Sequence, residues 1–191
     1  LERRVGELTP EQKITFNAGT KEIGKEEAQL TAANQVANAL KRFQELNAEV
    51  TTGRVSGMRP ALLQPKLQEL TQLQNWLQVN NFKPGQGQIS NFERSLMRGA
   101  GPQVTNDPEA NQSIIGIQLG ALETAKERVN FKEDYLEKNK KLLGADEKWN
   151  RYVEENPRFV KNKEGKIVPN ENRKSWREYF GSGTAPKPAG D

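Results

Sequence analysis

A long polar segment carrying one narrow apolar stripe sets the strongest limit on the fold. Between residues 20 and 50, Ile23, Leu30, Ala33, Ala37, Leu40, Phe43, Leu46 and Val50 recur at steps of three, four or seven. That spacing places them on one face of a helix, and a stripe this thin and Ala-rich is closer to a coiled-coil seam than to a globular core helix. Such a helix, roughly 46 Å long at about 1.5 Å per residue, needs a partner along its length.

The rest of the chain predicts more helix. Thr9-Pro10-Glu11 is a helix start, with a hydroxyl cap, a first-turn proline and an early acid. Gly19 is expected to end that first short element. Two glycines and a proline in residues 51–60 break the long helix. Leu63, Leu67, Leu70, Leu73 or Gln74, and Leu77 then mark a second helix over residues 61–79, which pairs with the first as an antiparallel hairpin. A loop over residues 80–88 precedes Ser90-Asn-Phe-Glu93, a capping box that opens a short helix ending near Gly99. Asp107-Pro108-Glu109 starts a further long helix expected to run to Leu143, with Ala110, Ile114, Ile117, Ala121, Ala125 and Val129 inward and Ile115, Leu119 and Leu122 widening that face. Asp146 is expected to cap a short helix bearing Trp149, Tyr152 and Val153. Residues 159–168 fit a small β-hairpin turning at Gly165, or equally an extended loop. Residues 170–180 form a last helix with Trp176, Tyr179 and Phe180. The expected class is all-α: a long helical hairpin, a second long helix and short aromatic-rich C-terminal helices. The expected units are residues 1–89, residues 90–180 and a flexible Gly/Pro/Ala tail, 181–191. Because the chain opens on Leu1 rather than Met, the expectation is a start inside a longer gene product or after processing.

Charge is uneven. Residues 1–125 hold 13 basic and 13 acidic groups, whereas residues 126–180 hold 15 and 11 and so carry the whole net charge of +4. The same segment holds eight of the thirteen aromatics, which fits a small subdomain that needs large side chains to bury enough area. Its interleaved acids, as in Lys126-Glu127-Arg128 and Lys132-Glu133-Asp134, are expected to be solvated helix-surface pairs. The competing expectation is a nucleic-acid or lipid-headgroup surface, with Lys161, Lys163 and Lys166 as the nucleic-acid contacts.

The chain has no His and no Cys. That excludes Ser-His-Asp and Cys-His catalysis, zinc sites built from those ligands, and the usual haem and iron–sulfur ligation. The adjacent acids Glu26/Glu27, Glu133/Asp134 and Glu154/Glu155 diverge by about 100° on a helix and do not share a site. Gly85-Gln-Gly87 lacks the downstream glycine and helix of a dinucleotide loop. No catalytic residue, cofactor or metal ligand is expected, and no stretch reaches the length of a membrane span.

The most distinctive stretch reads Phe92-Glu93-Arg94-x-Leu96, then Gly101-Pro102, then Asn106-Asp107-Pro108-x-x-Asn111 and Ile114-Ile115. A long charged helix, a Trp149/Tyr152 turn and Asn156-Pro157-x-Phe159 follow. In order and spacing this resembles a C-terminal region of tailed-bacteriophage and prophage structural proteins, often described as internal virion, DNA-transfer or ejection proteins. The resemblance implies a non-enzymatic virion component that assembles with itself or with portal and tail proteins during genome delivery. Phe92, Arg94, Pro102, Asp107, Pro108 and Asn111 would then serve as a structural motif, in which the two prolines bracket a rigid turn and Asn111 bonds loop carbonyls. The alternatives are a sequence-independent nucleic-acid-binding module, with weak DNA contact, and an accessory region of a cell-wall hydrolase whose catalytic domain lies upstream.

Overall fold

A computed structural model describes residues 8–55, 60–80, 88–97 and 101–181. In chain order these form α1 (Pro10–Val55), α2 (Pro60–Val79), α3 (Asn91–Met97), α4 (Pro108–Asn139), α5 (Ala145–Glu155), the antiparallel pair β1 (Phe159–Lys161) and β2 (Ile167–Pro169), and α6 (Trp176–Phe180). The expected mostly-α class holds, and of the two alternatives for residues 159–168 the small antiparallel hairpin is the one that forms. The helix does not break at residue 51 as expected but continues through Gly53 to Val55, because one glycine lowers helix propensity without ending a helix. The rest of the expected break (56–59), the glycine loop at 81–87, the helix end near Gly99 and the tail at 182–191 lie outside the described residues.

α1 is the spine, and at 46 residues it extends about 69 Å. Gly19 does not end an element but lies within this helix. A Cβ there would come within 2.8 Å of Leu136 Cδ1 and 3.2 Å of Leu142 Cγ, so the glycine lets α4 and the segment after it press against the α1 backbone.

α4 supplies the partner that the narrow stripe of α1 requires. Asn111, Ile115, Gln118, Leu122, Ala125, Val129, Lys132 and Leu136 alternate at steps of four and three, and all are buried. The opposing seam of α1 includes Phe16, Ile23, Ala33 and Leu40, also buried. Contacts between Glu22 and Lys132, and between Asn47 and Asn111, fix the two helices as antiparallel. This is coiled-coil spacing with polar layers set into it. The inward face of α4 therefore differs from the purely apolar one expected: Ala110 is exposed, Ile114 and Ile117 are half-buried, and Asn111, Gln118 and Lys132 occupy seam positions.

The hairpin with α2 forms as expected. Leu63, Leu70 and Leu77 are buried, and Leu70 and Leu77 share a core with Leu40, Phe43, Leu46 and Val50 of α1 and Ile115 of α4. Surface pairs Arg42–Glu69 and Lys66–Glu49 confirm the antiparallel sense. The cores cross residue 90, since Phe16 and Ile23 pack with Val129 and Leu136.

The other side of α4 carries the C-terminal elements. Phe131 meets Trp149, Trp176 and Phe180 at ring centroid distances of 5.4, 5.7 and 5.2 Å. Gly120 gives the hairpin its seat, since a Cβ there would lie 2.5 Å from the Phe159 ring and 2.8 Å from Arg158 Cδ. Three boundaries differ from expectation. α4 stops at Asn139, because Lys140 turns left-handed (φ 61°) and donates its N–H to Leu136 O. α5 starts after Gly144 (φ 83°), which has no side chain to cap with, and Asp146, expected as the cap, lies inside the first turn with its carboxylate on Arg128. α6 begins only at Trp176, where Ser175 and Glu178 form a reciprocal capping box.

Candidate functional site

Three polar clusters converge on α4, and they contain most of the motif residues. The first is the turn before the helix. Pro102 is buried, the Asp107 side chain caps α4 by accepting from Glu109 N at 2.9 Å, and Pro108 occupies the first turn. Asn111 is fully buried. Its Oδ1 accepts from Gln103 N (2.9 Å) and Asn106 Nδ2 (3.2 Å), while its Nδ2 donates to Gln103 O (2.7 Å) and reaches Asn47 Oδ1 at 3.5 Å. Gln74 of α2 accepts from Val104 N at 2.8 Å. One asparagine and one glutamine thus fasten the turn to three helices, with Asn111 bonding a loop carbonyl as anticipated.

Phe92 and Arg94 lie apart from that turn, half-buried on α3. The residue between them does the fastening. Glu93 is buried, closes the capping box by accepting from Ser90 N and Oγ, and accepts from Arg158 N at 2.6 Å. Together with Asn91 N to Glu154 and Trp149 Nε1 to Gln88 O, it ties the α3 segment to the C-terminal elements.

The second cluster lies in the α1–α4 seam. Lys132 has 1% of its side chain exposed, and its Nζ reaches Glu22 at 2.7 Å, Glu26 at 2.8 Å and Asp146 at 2.9 Å. Arg128, one turn earlier, pairs with Asp146 at 2.8 Å and Glu26 at 3.4 Å. Burial would lower the Lys132 pKa, but the bonds to three carboxylates outweigh it and hold the ammonium above the usual lysine range. Burial pushes Asp146 up, and its bonds to Lys132 and Arg128 bring it below the usual carboxylate range.

The third cluster sits on the opposite side of α4. Glu127 accepts from Arg158 at 2.8 Å and from both terminal nitrogens of Arg173, and Arg158 Nε also reaches Thr124 Oγ1 at 3.1 Å. Burial opposes the charge on Arg173, and the Glu127 bond more than offsets it. Nearby, burial pushes the Tyr152 hydroxyl up to about 12, and that hydroxyl donates to Lys174 O.

These clusters neutralise charge and tie backbone segments together. Among the described residues, no group of three or more Asp or Glu is placed to hold a metal ion. Nor is any described helix long and apolar enough to cross a membrane. The expectation of surface pairs fails for Glu127, Arg128 and Lys132, whose partners lie 18 to 110 positions away. The missed signal was positional: Lys132 stands three residues after Val129 and four before Leu136, squarely in the seam. Lys161, Lys163 and Lys166 are exposed and sit together on the β1–β2 hairpin. Compared with protein-family models, curated proteins and solved structures, the chain matches none.

Proposed function

We propose that this chain is a non-enzymatic structural segment of a tailed-phage virion, of the internal or ejection kind, which resides in the particle and assembles with itself or with portal and tail proteins. The observation that carries this reading is what the motif's polar residues do. Asp107 caps a helix, Asn111 locks a turn, and Glu93 holds two segments by their backbone N–H groups. All three serve scaffolding, which suits a part whose task is to hold a shape among neighbours.

The α1 stripe is consumed inside the chain, so surfaces for assembly must lie elsewhere. Leu62, Trp76 and Val79 of α2 are 61%, 36% and 84% exposed, off the stripe that packs on α1. With Ile14 and Leu143, they are the large apolar side chains left exposed among the described residues, and self-association through α2 would cover these three. Light scattering across micromolar concentrations is expected to give a mass of several chains, reduced towards one chain by Trp76→Glu with Val79→Glu. A strictly monomeric chain at every concentration would remove self-assembly from the account.

A further inference from the structure

The hairpin lysines are left over once the neighbouring cations are assigned. Residues 157–177 carry seven Lys or Arg against two Glu. Arg158 and Arg173 are spent on Glu127, Arg177 lies 3.4 Å from Asp134 with its guanidinium over the Trp176 ring, and Lys174 is exposed but stands before α6, off the hairpin. Lys161 and Lys163 have no ion-pair partner among the described residues, and the one pair of Lys166, with Glu164, spans 3.9 Å between side chains more than 70% exposed. Such a pair contributes almost nothing and opens readily.

The turn that presents these lysines is built to hold its shape. Asn162 Oδ1 accepts from Glu164 N (3.0 Å) and Lys166 N (2.9 Å), Asn162 N donates to Lys166 O (2.9 Å), and Gly165 takes the left-handed conformation (φ 79°). At the base, Asn170 bonds Arg158 O and Pro157 O, and Phe159 rests on Gly120. Three exposed lysines therefore stand within one six-residue tip, 161–166, that needs little ordering on contact.

We propose that this tip docks on the phosphate backbone of nucleic acid through Lys161, Lys163 and Lys166. The contact is electrostatic and blind to sequence. Base stacking is not on offer, because Trp149, Tyr152, Trp176, Tyr179 and Phe180 pack with one another in the aromatic core. Duplex DNA, with its higher charge density, should therefore bind at least as well as single strands. A lipid surface fits less well, since none of the exposed large hydrophobic side chains lies on the hairpin to enter a bilayer.

The test is fluorescence anisotropy of labelled random-sequence duplex DNA titrated with the full chain, at low salt and across a salt series. The expected result is weak binding, with a Kd on the order of 10⁻⁴ M or somewhat tighter, and a log–log salt slope of about −3 for three neutralised phosphates. Each single Lys→Gln variant at 161, 163 or 166 should reduce the slope by about one, and Lys161→Glu with Lys163→Glu and Lys166→Glu should abolish binding while far-UV circular dichroism stays unchanged. The proposal is overturned by no binding to DNA at low salt, by single variants that leave the slope unmoved, or by retention on phosphatidylserine vesicles without binding to DNA.

Discussion

Trp149→Ala is expected to destabilise the chain by about 4 kcal/mol, within the range for emptying a buried aromatic site. Trp149 is wholly buried, with its ring 5.4 Å from Phe131 and 5.0 Å from Tyr152. The substitution also removes the donor that Gln88 O accepts at 3.2 Å. The cavity would open between α4 and α5, where Phe131, Tyr152, Val153 and Trp176 depend on the same ring for packing. At about 2–4 °C per kcal/mol for a chain of this size, the melting temperature should fall by about 10 °C. Trp149→Phe keeps a ring and loses only the bond and some volume, so it should cost less than half as much. Urea unfolding followed by far-UV circular dichroism checks both. A loss below about 1 kcal/mol for the alanine variant would contradict a packed core around this side chain.

Lys132→Ala is the second large effect, at about 3 kcal/mol. Removing one side of a buried pair leaves the other charges stranded. Here Glu26 and Asp146 would be left with Arg128 and Glu22 would lose its ion pair, and the cost falls at the lower end of the usual range because Glu22 and Asp146 are about half exposed to water. Adding Glu22→Gln and Glu26→Gln to that variant should recover part of the loss, since the stranded negative charge goes with them. The pH dependence follows from the directions of the shifts. Asp146 lies below its ordinary value in the folded chain, so its contribution is present above the unfolded carboxylate pKa and disappears as pH falls through the lowered value. Lys132 lies above its ordinary value, so its contribution is present below the unfolded lysine pKa and is lost as pH rises through the raised one. The cluster should therefore hold from about pH 4 to about pH 10, and Lys132→Ala should flatten the acid limb of a stability–pH profile.

Apolar periodicity carried the fold a long way. The leucines of α2, the Asp107-Pro108 helix start and the Ser90-Glu93 box each follow from local rules and stand in the structure, as does the stripe from Ile23 to Val50, save that Leu30 and Ala37 are half-buried and Val36 and Ala39 are buried beside it. What escaped was polar and long-range. Gly19 looks like a helix end in isolation and becomes a contact point only when Leu136 lies against it. Asp146 looks like a cap until two cations from α4 claim its carboxylate. Lys132 and Gln118 interrupt an apolar face when only apolar residues are counted, yet they continue the four-three spacing once every residue is placed on the helix. The turn lock at Asn111 was legible because its loop partners, Gln103 and Asn106, lie within eight positions, whereas its reach to Asn47 spans 64. The Glu127 pairings with Arg158 and Arg173 span 31 and 46 positions and follow only from packing of the C-terminal elements on α4.

The central claim is that this chain is a structural part of a phage particle. Quantitative mass spectrometry of purified particles, set against the unpackaged fraction of the same lysate, tests it most directly. The account predicts peptides of this chain in the particles at several copies each, co-purifying with portal or tail proteins. Particles free of the chain, with the protein abundant in the unpackaged fraction, would contradict it.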